Sequence, residues 1–500
     1  MADDDGRKTT RRELLGAVAI LATGVGLGCD AGTGAPDGGA GGSDAGPRAD
    51  AGAGPDGGAS DAGPSDAGPA DAGSPDAGPA PVPPPEATPE AVIATFPLGV
   101  SSGDATSEAA IFWTQYTGTR ELELVVWEMD GASYGRTVTQ ELVTPAEGGY
   151  VHVDVSGLRA GARHRYTFFE REGGVRTMRS PIGRLRAALD PDAVEPLVIG
   201  ACSCTSNSRT ADTLSRAGAR EDLDVFLLLG DTTYNDGAET TAEYRNEWRE
   251  SLARPGYRAL RAASSVLCTW DDHEFDNDFD PERMPAAQQA AAKQAYFEHQ
   301  PVRRDAASPD RLWKSMRWGL TAEIFLLDCR SERRPSTRGG SSPEYVSRAQ
   351  MDWLKTALSE SRATFKILMN SVPIADFPGA FDLARNDRWE GYGAQRTEIL
   401  EHIDREAIRG VLWVAGDFHL ASAQRVSGSG AGSTQIEILA GPGAQSGNIL
   451  AATLGGAQFD FATSENNYTV IELDPGTGRA RVWWIDADGS TIETLEYALA

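Results

Sequence analysis

The chain has 500 residues, enough for two domains and a sizeable core. Its formal charge of −27 and pI near 4.6 argue against a nucleic-acid partner, whose phosphates such a surface repels. Eleven tryptophans suit a packed body, and beyond the first thirty residues no run is long and apolar enough to span a bilayer.

Thr10-Arg11-Arg12-Glu13-Leu14-Leu15 stands before an apolar, small-residue run over residues 16–28. This order resembles a twin-arginine export signal, a route that carries proteins already folded. Cys29, after Leu27-Gly28, resembles a lipoprotein processing site, although Gly26 stands where that pattern prefers Leu. Residues 1–29 are therefore expected to be a signal. The mature chain is expected in the periplasm or at the cell surface, meeting membrane only through a lipid on Cys29. Residues 30–90 are Asp, Ala, Gly and Pro with Ser, and Asp-Ala-Gly-Pro recurs at Asp44, Asp61, Asp66 and Asp76. With almost no apolar surface to offset its ordering entropy, this stretch is expected to be a disordered linker.

Residues 91–190 carry short apolar segments at regular spacing, among them 110–114, 121–127, 151–155 and the stretch 158–169, with turn residues between them. That pattern predicts a β-sandwich. Leu158, a Gly turn and Tyr166 resemble the tyrosine corner of fibronectin-like sandwiches. His152 and His164 are expected to be structural. Gly131-Ala-Ser133-Tyr-Gly135 fits a nucleophile-elbow pattern, but it falls in a β-turn rather than a strand-to-helix turn, and it is rejected.

From residue 195 to the end, strands alternate with helical stretches. Residues 210–221, 241–260, 286–297 and 350–358 read as helices. Residues 197–202, 225–229, 266–270, 321–328, 365–370 and 411–415 read as strands, and three more strands follow at 434–439, 469–473 and 481–485. Alternation closing in strands predicts a two-sheet α/β sandwich.

Four of the strands end in metal-binding side chains. They run into Cys202-Ser-Cys204, into Asp231 and Tyr234, into Asp271-Asp272-His273-Glu274, and into Asp417-Phe-His419. A lone Gly-Asp after a strand is usually a turn or helix cap, and a lone histidine is usually structural. Four such endings in one domain, at the edge where α/β sheets bind ligands, point instead to a polynuclear metal site.

The whole stretch from Phe96 resembles the PhoD-type alkaline phosphatases of the calcineurin-like metallophosphatase superfamily. The resemblance rests on Gly99-Val-Ser-Ser-Gly-Asp104, Gly230-Asp-Thr-Thr-Tyr234, Trp270-Asp-Asp-His-Glu274, Leu327-Asp-Cys-Arg330, Trp389-Glu-Gly-Tyr392 and Gly416-Asp-Phe-His419. It implies a fibronectin-like domain followed by the catalytic two-sheet sandwich. It also implies a cysteine ligand to ferric iron, and both Cys202 and Cys204 are candidates. An ungapped alignment from Leu197 favours Cys202. Asp231 takes the position of the carboxylate that bridges two metals, and Tyr234 that of an iron-binding phenolate. His419 would complete the iron site. Asp272, Asp417 and Asn370 take positions that bind the second metal, and His273 that of a histidine that touches no metal. The implied cofactors are Fe3+ and Ca2+. Hard oxygens at Asp272, Asp417 and Asn370 agree with calcium, and thiolate, phenolate and imidazole agree with ferric iron. Asp276, Asn277 and Asp278 are candidates for a further calcium, with a solvated acidic turn as the other reading.

The resemblance implies hydrolysis of phosphomonoesters, phosphodiesters or both by water activated on the metals, with Asp231 bridging and His273 protonating the leaving group. Arg330 and Arg396 could hold phosphate oxygens, but structural pairing with nearby acids is the favoured reading. The substrate is thus a phosphate ester, and a monomer is expected. The alternatives are a phospholipase D-like diesterase and a non-catalytic surface-anchored binding protein.

Overall fold

Every residue of the strands Phe365–Met369 and Val411–Ala415 is buried. Both faces of such strands must be covered, which is why their sequences are continuous apolar runs. Side chains alternate across a strand with period two. Ile367, Met369, Leu412 and Val414 accordingly join one core with Ile199, Val225 and Leu227 of a second sheet. Leu368, Val411 and Trp413 join another with Leu354 and Ile399 of the helices Arg348–Glu360 and Gly393–Arg405. The chain is a two-sheet α/β sandwich, as expected.

The computed structural model describes residues 89–500. The expected signal, and the expected linker up to residue 88, lie outside the described residues. At the centre of a nine-stranded sheet, Leu197–Cys202, Val225–Leu228 and Ser265–Cys268 run parallel. Asn467–Asp474, Arg479–Asp486 and Thr491–Ala498 extend one side of it as an antiparallel run. A seven-stranded sheet is built on parallel Ala322–Leu326, Phe365–Met369 and Val411–Ala415. Among the described residues, no helix is long and apolar enough to cross a membrane.

The β-rich segment after residue 91 differs from the expected separate sandwich. Val100–Gly103 pairs in parallel with Ser265–Cys268, and Ala109–Gln115 and Tyr150–Ser156 follow it antiparallel. All three strands thus belong to the nine-stranded sheet. A five-stranded sheet including Glu121–Asp130 and Arg163–Glu172 packs onto them through Val100, Phe112, Leu124, Val126 and Phe168. The sandwich forms, but one of its layers is continuous with the sheet of the following α/β half. Gly103 permits this close approach, because a Cβ there would lie 2.3 Å from the Pro301 carbonyl oxygen and 2.9 Å from that of Val266.

Other differences are local. The expected helix over 241–260 is two helices, Thr241–Leu252 and Pro255–Ala263. A Thr240–Glu243 capping box starts the first, and Pro255, lacking an N–H, starts the second at its first turn. Tyr166 packs edge-on against Phe112 at 4.8 Å, and its hydroxyl makes no tyrosine-corner bond to the Leu158 turn. His152 and His164 are structural, paired with the carbonyls of Gln300 and Ala162. Ser133 begins the second strand of a hairpin, far from any elbow geometry.

Candidate metal centre

Leu228 stands level with Cys202 on one side and Cys268 on the other, so three parallel strands end together. The chain leaving them carries Cys204, Asp231 and the Asp271–Glu274 turn. Val411–Ala415 of the other sheet ends just before Asp417 and His419. Cys204 (φ 55°), Asp231 (51°), Asp417 (70°) and His419 (52°) all have left-handed backbones. That conformation is uncommon for residues with a Cβ, though aspartate and histidine adopt it more readily than most, and four such residues at one sheet edge mark sharp turns there. Gly230 (φ 93°) lets the two acid-bearing turns cross, since a Cβ there would lie 2.5 Å from Asp271 Cβ.

Ligand atoms of Cys204, Asp231 and His419 lie within 4.8 Å of one another. The Tyr234 hydroxyl joins them, 3.2 Å from Asp231 Oδ2 and 3.4 Å from His419 Nε2. Asp231, Asp272 and His273 form a second such group, and Asp271, Asp272 and Asp417 a third. Asp231 therefore belongs to two groups and Asp272 to two.

Burial pushes the Asp231 carboxyl well above the usual carboxylate range, and Asp271, Asp272 and Glu274 add to the rise while His273 opposes it. Burial likewise raises the Cys204 thiol and the Tyr234 hydroxyl, with Asp231 adding to both. Asp231 Oδ1 is buried and has no hydrogen-bond partner among the described residues. An unpartnered carboxylate oxygen amid acids, thiol and phenol is the arrangement a bound cation stabilises, because the ion reverses the repulsion and deprotonates the thiol. The residues fit metal ions.

Arg330 is fully buried. Its Nε and Nη2 reach Asp271 at 2.5 and 3.1 Å, and Nη2 also lies 3.1 Å from Asp417 and 3.5 Å from Asp272. Arg396 donates to the carbonyls of Ile374 and Val426 and to Ser427 Oγ. Arg396 also pairs with Asp376 at 3.2 Å, so each arginine has the neighbouring acid that the sequence reading favoured. His273 Nδ1 lies 2.7 Å from Asp236 Oδ1, and its ring packs 4.0 Å from that of Tyr234. Burial opposes protonation of His273, but Asp231, Asp272 and Asp236 outweigh it and hold its pKa well above the ordinary value.

Cys202 is the main correction. It is the last residue of its strand, and its buried side chain lies on the face opposite Ile199 and Ala201, toward Tyr257 of the helix Pro255–Ala263. The Cys202 sulfur lies 3.6 and 3.7 Å from the carbonyls of Ser203 and Asn467, and it joins no ligand group among the described residues. Strand alternation commits it to that face of the sheet, whereas the turn through Ser203 brings Cys204 over the edge. Asn370 turns its oxygen toward Cys329 Sγ at 2.7 Å and Trp389 Nε1 at 3.5 Å. Asp276 accepts from the Gly237 N–H, and the Asp278 N–H donates to Asp272 Oδ2 at 2.7 Å. Neither acid enters a ligand group among the described residues, so this turn supports Asp272.

Asp236, Asp271 and Glu274 were overlooked as working residues. Asp236 follows Tyr234 by two positions, and Asp271 adjoins Asp272. Glu274 closes the very motif that drew attention, so proximity was the available signal.

A two-sheet sandwich with acids, imidazole and thiol converging at its strand ends defines the metallophosphatase fold. Two solved structures share it. One is described as the structure of PhoD (TM-score 0.68, 21% identity, 81% of this chain and 90% of that one). The other is the purple acid phosphatase PPD1 of yellow lupin seeds (TM-score 0.58, 11% identity, 80% and 73%). The PhoD-like phosphatase family pattern matches residues 198–470, and the pattern of its N-terminal domain matches residues 83–189. The chain belongs to the PhoD-like phosphatase family. Alkaline phosphatase D of Bacillus subtilis (strain 168) is 27% identical over 386 residues, covering 66% of this chain and 65% of that protein's length.

Proposed function

We propose that this chain is a metal-dependent phosphoesterase that hydrolyses phosphomonoesters, phosphodiesters or both. The observation that supports this most is Asp231, a buried acid with one unpartnered oxygen that belongs to two ligand groups at once. Cys204, Tyr234 and His419 with Asp231 would hold one ion, read as Fe3+ from its thiolate, phenolate and imidazole. Asp231, Asp272 and Asp417 would hold the other, read as Ca2+ from its hard oxygens. When bound, such ions neutralise charge on the phosphoryl oxygens and make water a better nucleophile.

The proton falls to His273. Asp236 engages Nδ1, and a ring nitrogen of His273 lies within 4.8 Å of carboxylate oxygens of Asp231 and Asp272. Asp236, which would hold no metal, is the carboxylate that accepts from Nδ1, and a histidine oriented in this way can donate a proton to a leaving alkoxide. Arg330 ties Asp271, Asp272 and Asp417 together and so fixes one wall of the site. The reading includes export through residues 1–29.

The test is hydrolysis of p-nitrophenyl phosphate, of its bis ester and of a phospholipid by metal-replete protein. Turnover of either nitrophenyl ester, abolished by chelation and restored by metal, supports the proposal. Exclusive turnover of the phospholipid favours the phospholipase D-like alternative, and no turnover of any ester refutes a phosphoesterase.

A further inference from the structure

Glu274 is almost completely buried, and no Lys, Arg or His pairs with it among the described residues. Its Oε2 accepts from the N–H of Asp271 at 2.7 Å and of Asp231 at 3.0 Å, and its Oε1 from the N–H of Thr232 at 2.7 Å. One carboxylate thus gathers three amides from two turns, and both turns carry candidate ligands. A second tie runs beside it. The Asn235 N–H donates to the His273 carbonyl and Asn235 Nδ2 to the Glu274 carbonyl, each at 2.9 Å.

Both Glu274 oxygens are engaged by backbone N–H groups, and the residue enters no ligand group among the described residues. What it can do is hold backbone. Asp231 has a left-handed backbone, a conformation uncommon outside glycine, and its N–H is one of the three gathered. We infer that Glu274 is a positioning residue for the metal centre: its carboxylate locks the Asp231 turn against the Asp271–His273 turn, and so sets the separation of the two ligand groups that share Asp231. The inference rests on the metal-centre reading above. Glutamine cannot replace this carboxylate, because its NH2 would meet at least one of the same N–H donors head-on.

The experiment compares full-length, metal-replete wild type with Glu274→Gln. Bound metal is followed by elemental analysis during exposure to excess EDTA, beside circular dichroism and turnover. Groups that orient metal ligands typically change metal affinity about 10- to 100-fold. Glu274→Gln is therefore expected to keep its fold, to lose metal roughly that much faster, and to regain kcat when metal is supplied in excess. Wild-type retention in a folded Glu274→Gln overturns the inference and leaves the phosphoesterase reading intact. A wild type that binds no metal overturns both. Should Glu274→Gln fail to fold, Asn235→Ala decides, since it removes the Nδ2 bond to the Glu274 carbonyl and the Thr233 hydroxyl bond to Asn235 Oδ1 but keeps the Asn235 N–H on the His273 carbonyl. Faster metal loss than wild type supports the positioning role, and unchanged loss refutes it.

Discussion

The two cysteines at the end of Leu197–Cys202 are two positions apart, and they are expected to respond oppositely to the same substitution. Cys202 is packed so closely that a Cβ on Gly443 would lie 2.4 Å from its sulfur. Removing that sulfur deletes about one methylene's worth of buried surface, roughly 0.8 kcal/mol, plus a small cavity. Cys202→Ala should therefore cost about 1 to 1.5 kcal/mol, a fall in Tm of roughly 2 °C for a chain of this size. Its metal content and turnover should be those of wild type. Cys204 instead lies within ligand distance of Asp231 and His419. Cys204→Ala should lose the ion on that side and at least about 10²-fold in rate, because the activated water and the charge neutralisation go with the ion. Thermal unfolding, elemental analysis, turnover of p-nitrophenyl phosphate and the visible charge-transfer band expected of thiolate-bound ferric iron give four readings on each variant. Bleaching or metal loss in Cys202→Ala, with Cys204→Ala unaffected, would refute the placement of the turn.

His273→Ala should keep its metals and lose about 10²- to 10⁴-fold on an alkyl phosphate but less on p-nitrophenyl phosphate, whose leaving group needs little protonation. Equal losses on both esters, or loss of metal, would make His273 a ligand. His299 is buried, with Nδ1 against the Ala295 carbonyl and Nε2 against the Tyr150 hydroxyl, and burial pushes its pKa down to about 3. Because the folded value is depressed, its contribution to stability is present above the unfolded pKa near 6.5 and is lost as pH falls from there toward 3, reaching about 2 kcal/mol by pH 5. Chemical unfolding at pH 7 and pH 5 should show a difference smaller by that amount in His299→Gln, and equal slopes in both proteins would refute it. Replacing Arg11 and Arg12 with Lys should leave full-length protein in the cytoplasm, and normal export of that variant would remove the twin-arginine reading.

The sequence was most legible where burial is two-sided. Continuous apolar runs marked Val411–Ala415 residue for residue and Phe365–Met369 to within one. Edge elements were harder. Thr491–Ala498 and Lys314–Trp318 are edge strands, only partly buried and carrying polar residues, so they show no apolar run. The helix Gly393–Arg405 was missed as well, since it starts on Gly and buries Gln395 and Arg396 along with its apolar residues. The continuity of the first β layer with the α/β sheet could not be read at all. It depends on Val100–Gly103 meeting a strand more than 160 positions away, and no local pattern encodes a partner.

Among candidate ligands the same physics separates what was legible from what was not. The type of residue was plain, because four apolar strands of one domain run into acids, histidine or thiols. Choosing among neighbours was not, because direction depends on where the strand stops. Within a strand, alternation fixes which way each side chain points, so the final strand residue still belongs to one face of the sheet. Cys202 is such a residue. A side chain can lean over the sheet edge only once the chain has left the ladder and turned. Cys204 comes two positions after Cys202, Asp231 three after Leu228, and Asp417 two after Ala415, and each takes a left-handed backbone to make the turn. The offset then follows from geometry: a ligand on this edge stands at least two residues beyond the last paired one. Applied to Leu197–Cys202, that condition rejects Cys202 and selects Cys204, against the ungapped alignment that favoured the reverse.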